Sequence, residues 1–189
     1  MQEVIQLVAT SQSQAHLDSI ILAALRSPSI HNYSQIAEHP KVKSLPETGI
    51  SRRLLCIFSF GTIEDLRSSG ITVSEELVAK LQKLTILTVA AKNSVIPYLQ
   101  LDMLHLSNRE LEDMVIDMIY ADMIVAKIDS NNREIHVQSA ISRDLLPSDF
   151  DRMVLVLGDW LETVQNTIRE VDSLVGGVSK INSEVIDPK

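Results

Sequence analysis

The chain has 189 residues, 45% of them hydrophobic and only 4% aromatic, with a formal charge of −8 and a pI near 5.1. That length can bury a real core without disulfides or a structural metal, and the acidic balance argues against nonspecific attraction to nucleic acid or anionic membranes. Cys56 stands alone, which excludes an intrachain disulfide and fits a reducing compartment; a buried structural role is expected for it. No basic N-terminal segment leads into a long apolar run, and nothing approaches a membrane span, so an intracellular protein is expected.

Residues 1–93 read as short helices punctuated by Pro and Gly, the helical-repeat part of the fold. Val4, Ile5, Leu7 and Val8 sit in a first helix, and Leu17, Ile20, Ile21, Ala24 and Leu25 mark the buried stripe of a second that stops before Pro28. Around Ile36, Pro40, Val42 and Pro46 only brief helical turns fit, because each proline removes an N–H and restricts the residue before it. Leu54, Leu55, Ile57 and Phe58 belong to a helix over Arg52 to Phe60, ending near Gly61, and Thr62 with Asp65 three residues on reads as the next N-cap. Ser74, followed by Glu75 and Glu76, starts the longest helix of this half; its hydroxyl is expected to cap, and Leu77, Val78, Leu81, Leu84 and Val89 to fill the core face.

Residues 94–146 read as a winged helix. From Tyr98 two helix-like segments run into two alternating strands. Ser107-Asn108-Arg109-Glu110 is a capping box in which the Ser107 hydroxyl and the Glu110 carboxylate each satisfy the other residue's backbone N–H, with Leu106 and Leu111 as a hydrophobic staple. Leu111, Met114, Val115, Met118 and Ile119 recur at helical spacing. The period then changes to two in Ile124, Ala126, Ile128 and again in Ile135, Val137, Ser139. Ser130-Asn131-Asn132 joins the strands, asparagine being tolerant of the left-handed backbone that tight turns require. The sheet edge of this hairpin has to be left unpaired, covered or matched by a partner strand, and Val125, Lys127, Asp129, Glu134 and His136 are the candidate protein-interface residues there.

Residues 147–189 read as a C-terminal helix and tail. From Phe150, the series Val154, Leu157, Leu161, Val164, Ile168, Val171, Val175, Val178 alternates spacings of four and three, a heptad seam that needs a partner helix from this chain or another. Leu157, Leu161, Val164, Ile168 and Val171 are its candidate interface residues. Gly176-Gly177 is a plausible break or fraying point, since glycine costs a helix interior about 1 kcal/mol relative to alanine, and the sequence leaves open whether the helix continues through it.

No constellation for catalysis appears. The five histidines form no HExxH pair, no glycine loop could cradle a phosphate, and Cys56 has no base nearby in sequence, so no metal, cofactor or small-molecule substrate is expected. His136 lies between two inward-pointing residues and is expected at the surface. The stretch from Ser107 to Met123 carries Glu110, Glu112, Asp113, Asp117 and Asp122 against Arg109 alone; such a helix repels phosphate, which points to a protein partner rather than to nucleic acid. Glu110, Asp113 and Asp117 share one face, read as a solvated surface or a docking patch for basic groups.

Ile96-Pro97-Tyr98, the helix Leu111-Glu112-Asp113-Met114-Val115-Ile116 with Tyr120-Ala121-Asp122-Met123, Lys127-Ile128-Asp129, Ser142-Arg143-Asp144 and Trp160 resemble the PCI domain in the form found in the COP9 signalosome subunit 7 family. Phe58-Ser59-Phe60-Gly61-Thr62 and Leu84-Thr85-Ile86-Leu87-Thr88-Val89-Ala90 extend the resemblance over most of the chain. The Leu-Glu-Asp helix and Lys-Ile-Asp wing are shared with PCI subunits of the proteasome lid and of translation initiation factor three, which stand as the alternative, ahead of a winged-helix nucleic-acid binder. The resemblance implies a mainly α fold: a helical-repeat segment, a winged helix whose neighbours associate side by side in a horseshoe of PCI subunits, and a long C-terminal helix that joins a helical bundle. It also implies that removal of NEDD8 from cullins of cullin-RING ubiquitin ligases belongs to a different, metal-binding subunit. This chain would then be a non-catalytic scaffold in cytoplasm and nucleus, its partners other signalosome subunits and not nucleic acid, membrane or a small molecule.

Overall fold

A computed structural model describes residues 2–11, 13–46, 49–145 and 147–186, with side-chain surroundings described for all of these except 3, 147, 148 and 176–186. The chain forms two compact units, 1–144 and 145–189.

The first unit begins with α1 (Gln2–Thr10), α2 (Gln14–Arg26) and two single turns, α3 (Ser34–Ala37) and α4 (Pro40–Lys43), followed by α5 (Ile50–Phe60), α6 (Ile63–Ser69) and α7 (Glu75–Ala90). The periodicity of α2 carries through: Leu17, Ile20, Ile21, Ala24 and Leu25 are all buried. Asp65 accepts from the Thr62 backbone N–H at 2.6 Å, which starts α6 as its sequence indicates. At Ser74 the acidic first turn is present, but the hydroxyl makes no capping bond. The packing of α7 also differs from its amphipathic reading. Leu77, Leu81 and Leu84 are buried, yet Ile86, Leu87, Ala90, Gln82 and Thr85 join them, while Val78 and Val89 are only half-buried. The helix is wrapped because it packs against α2 and α6 and also against the winged-helix elements that follow it. Its polar residues are satisfied: Gln82 donates to Leu104 O at 3.1 Å, and Thr85 donates to Leu81 O at 2.8 Å.

Cys56 is exposed, contrary to the expected core position. Burial on α5 falls on Ser51, Leu54, Leu55, Phe58 and Ser59, and position 56 lies on the opposite side of that stripe.

The winged helix comprises β1 (Val95–Pro97), a 3₁₀ segment (Tyr98–Leu104), α8 (Asn108–Tyr120), β2 (Ile124–Asp129) and β3 (Glu134–Ala140), the strands ordered β1-β3-β2 and antiparallel. The capping box is made as expected: Ser107 N–H donates to the Glu110 carboxylate at 2.8 Å, and Glu110 N–H donates to Ser107 Oγ at 3.3 Å. The short strand β1 is additional to the hairpin, and it makes β3 the central strand. A bulge shifts the β2–β3 register so that Val125 faces Ser139 and Ala126 faces Val137, leaving Gln138 unpaired. The extra residue reverses the alternation, so Ser139 is exposed and Ala140, rather than Ser139, packs toward the core.

The hairpin turn is held by Asp129. Its carboxylate accepts from the backbone N–H of Asn131 at 3.1 Å and of Asn132 at 3.0 Å, and from the Asn132 side chain at 2.9 Å. The left-handed residue is Arg133, at φ 56°, rather than either asparagine. These bonds, first among them that from the Asn132 backbone, hold the Asp129 carboxyl below its usual range. Its contribution is therefore complete at neutral pH and is lost as pH falls through the lowered value. Asp129→Ala should free the amides of residues 131 and 132, seen as faster hydrogen exchange, with a small drop in melting temperature and an unchanged helical circular dichroism signal.

One core runs through the whole first unit, from Val8 and Ile21 through Phe58 and Leu84 to Ile96, Val115 and Ile135. The second unit is the long helix α9 (Pro147–Ile186), continuous through Gly176 and Gly177, a point that the sequence left open.

Candidate protein-interaction surfaces

Three surfaces stand out. The first is the outer face of the wing, where the strands bring together the five residues singled out in sequence. Lys127 on β2 lies opposite His136 on β3, and Asp129 lies opposite Glu134; Val95 of β1 completes the Lys127–His136 row. Val125 and Lys127 are exposed, and His136 projects to solvent as expected. Its Nε2 lies 3.7 Å from the Glu134 carboxylate. The face is thus of mixed charge, with a shallow depression of about 420 Å³ bounded by Lys127, Asp129, Asn131 and His136. Because β3 is central, His136 is flanked by a strand on each side and the free edge beside the hairpin belongs to β2.

The second surface is α8. Its carboxylates are not equivalent. Glu110 is occupied in the capping box, Glu112 accepts from the Tyr98 hydroxyl at 2.7 Å, and Asp117 lies 3.6 Å from Lys83 of α7. Burial, the bond to Glu112 and its charge push the Tyr98 phenol up to about 12. Arg109, Asp113, Ile116 and Tyr120 form the exposed stripe.

The third is α9. Leu157, Leu161, Ile168 and Val171 are 51–59% exposed, and Val164 is half-buried. Val178 lies outside the described side chains. The apolar band is broader than the heptad seam: Met153, Trp160 and Leu174 border it on one side, and Leu155 and Val156 are exposed as well. Over 153–157 the helix is therefore apolar all round, a composition that soluble helices reserve for buried positions.

The polar interior of the first unit is committed to structure, and sequence reasoning missed it. Arg143 enters between α5 and α7, donating to Phe58 O at 2.8 Å, Gly61 O at 3.0 Å, Leu84 O at 3.2 Å and the Thr88 hydroxyl at 2.5 Å. Burial lowers its guanidinium to about 10, still charged at neutral pH. The next residue, Asp144, accepts from the Tyr33 backbone N–H. Lys80, lowered to about 8 by burial, donates to Leu25 O at 2.8 Å and Ser27 O at 2.5 Å with its ammonium 5.3 Å from the Tyr33 ring. Lys41 does the same for α1, through Ala9 O at 2.6 Å and Ser11 O at 2.7 Å, and Arg52 for α4, through Lys43 O at 3.0 Å and Leu45 O at 2.6 Å. These bases close helix C-termini, whose last carbonyls lack intrahelical donors. Among the described residues no group of three or more His, Cys, Asp or Glu side chains could hold a metal, and no helix is long and apolar enough to cross a membrane.

Residues 18–139 match the PCI domain. The chain is similar to COP9 signalosome complex subunit 7 of Dictyostelium discoideum, 30% identical over 189 residues that cover 96% of this chain and 73% of the relative. It is 33% identical to subunit 7 of Arabidopsis thaliana over 181 residues, covering 92% and 69% respectively. Similarity to translation initiation factor 3 subunit M of Dictyostelium discoideum is narrower, 25% identity over 101 residues that cover 53% of this chain and 25% of that protein. The matched residues run from within α2 to within β3, taking in most of the helical core and of the wing, while the near-full-length similarity runs beyond them, and on both grounds the chain belongs to the COP9 signalosome subunit 7 family of PCI-domain proteins.

Proposed function

We propose that the chain is a non-catalytic scaffold subunit of the COP9 signalosome, the complex that removes NEDD8 from cullins of cullin-RING ubiquitin ligases. In this reading it joins the other subunits through PCI–PCI contacts at the wing and through helical packing of α9, in cytoplasm and nucleus. The observation that carries the reading is the apolar band of α9. A 40-residue helix with Leu157, Leu161 and Trp160 more than half exposed is built to be covered by other helices. The commitment of Lys41, Lys80, Arg52 and Arg143 to helix ends supports a role in architecture rather than in chemistry. It also removes bases from any patch that might attract phosphate, leaving the acidic α8 in the position where a nucleic-acid-binding winged helix needs Lys and Arg.

The test is purification of the tagged chain from its own cells. Other signalosome subunits should copurify, cullin deneddylation should accompany that assembly, and the purified chain alone should show none. Recovery of proteasome-lid or initiation-factor subunits instead, or metal-dependent cleavage of a cullin conjugate by the single chain, would overturn the proposal.

A further inference from the structure

The C-terminal end of α8 is closed by its own backbone: Ala121 N–H donates to Asp117 O at 3.0 Å, Asp122 N–H to Ile119 O at 3.1 Å and Met123 N–H to Met118 O at 2.9 Å, with Asp122 in the left-handed region at φ 55°. Helices α1, α2, α4 and α5 have terminal carbonyls bonded by a lysine or arginine from elsewhere in the chain. The last turn of α8 has no basic residue. Instead Asp117 lies in it, Asp122 follows two residues after its end, and Asp113 sits one turn earlier on the exposed side. Carboxylates at the negative end of a helix dipole are unfavourably placed, and the effect is relieved by a nearby cation. Lys83 faces Asp117 at 3.6 Å but leaves that carboxylate's side chain 70% exposed, and Arg109 lies one turn from Asp113 but two turns from Asp117, toward the other end.

A second feature points the same way. Tyr120, the last residue of the helix, is 85% exposed, and Ile116, four residues earlier, is 40% exposed. Residues four apart lie on one face, so ring and branched side chain make an apolar strip flanked by carboxylates. A flat aromatic face beside carboxylates suits a guanidinium, which stacks on the ring while pairing with an oxygen. Tyrosine and arginine are also the residues most often central to protein interfaces. A phosphate-bearing ligand would be repelled here, and a wholly apolar partner would desolvate Asp113 together with the largely exposed Asp117 carboxylate, which Lys83 faces at 3.6 Å.

We propose that the C-terminal half of α8 docks an arginine-bearing segment of a partner protein, with the guanidinium on the Tyr120 ring and paired to Asp117, and an apolar neighbour against Ile116. The site is distinct from the wing face and from α9. It rests on the reading of the chain as an assembly subunit only in requiring a protein partner.

The experiment uses the complex copurified with the full chain, carrying Tyr120→p-benzoylphenylalanine for photo-crosslinking, alongside carboxyl labelling of the unmodified complex and of the free chain. The expected result is a cross-link to a peptide containing arginine, and several-fold lower labelling of Asp113 and Asp117 in the complex than in the free chain. Tyr120→Ala, at so exposed a position, should leave the melting temperature unchanged while weakening retention of the cross-linked partner roughly five- to tenfold. Equal labelling of Asp113 and Asp117 in complex and free chain, or a cross-link to a peptide without a basic residue, would overturn the proposal. Either result, obtained with the signalosome subunits still copurifying, would leave the scaffold reading standing.

Discussion

Arg143→Ala should destabilise the first unit by about 3 kcal/mol, the range in which an uncompensated buried charge network falls. The guanidinium bonds four acceptors on two helices, and the substitution strands Phe58 O and Gly61 O at the end of α5 while opening a hole beside α7. Thr88 loses its donor but keeps its own bond to Leu84 O at 3.1 Å. Arg143→Lys should recover only part of the loss, because a single ammonium on a thinner stem cannot span the same fork of carbonyls. Urea unfolding would report both: the midpoint should fall in the order wild type, Lys, Ala, with the slope unchanged. A midpoint for Arg143→Ala within experimental error of wild type would mean that water replaces the guanidinium without cost.

That network also shows where sequence reasoning reaches its limit. Periodicity found α2, α5 and α8, and alternation found β2 and β3, because each signal is local and repeated over several residues. Strand β1 is three residues long and ends in proline, too short to show a period, yet it moves β3 from the edge to the centre of the sheet. The bulge at Gln138 inverts the burial of Ser139 and Ala140 because a single unpaired residue resets a period of two. Cys56 was expected inside on residue type alone, whereas the stripe of Leu54, Leu55 and Phe58 already placed it outside. Arg143 had no local signature at all: its acceptors lie 55 to 85 residues away in sequence. The run Ser142-Arg143-Asp144 drew notice only through family resemblance. For the candidate surfaces, the strand pattern was enough to bring Val125, Lys127 and His136 onto one face. The exposure of Tyr120 and Ile116 beside Asp117 could be recognised only once the packing of α8 against α7 and β2 had fixed which of its faces stays open.

Leu161→Asp should separate folding from assembly. Leu161 is 54% exposed, so the substitution removes little packing from the isolated chain, and its melting temperature and circular dichroism should match the wild type. In the assembled state the same position lies at the centre of the seam, between Leu157 and Val164 and beside Trp160. A carboxylate there would be desolvated among apolar side chains with no counter-charge, at a cost of several kcal/mol, enough to reduce copurification with partner subunits by more than about 100-fold. Polar replacement on the other side of the helix, at Glu162→Gln, should have no comparable effect. The breadth of the band sharpens the expectation. With Met153, Trp160 and Leu174 adding to the heptad positions, one partner helix cannot cover the surface, so single substitutions at Trp160 and at Leu161 should each impair assembly. If Leu161→Asp unfolds the isolated chain, the seam packs on its own chain and the bundle role is wrong; if neither folding nor copurification changes, α9 is dispensable and assembly runs through the wing and α8.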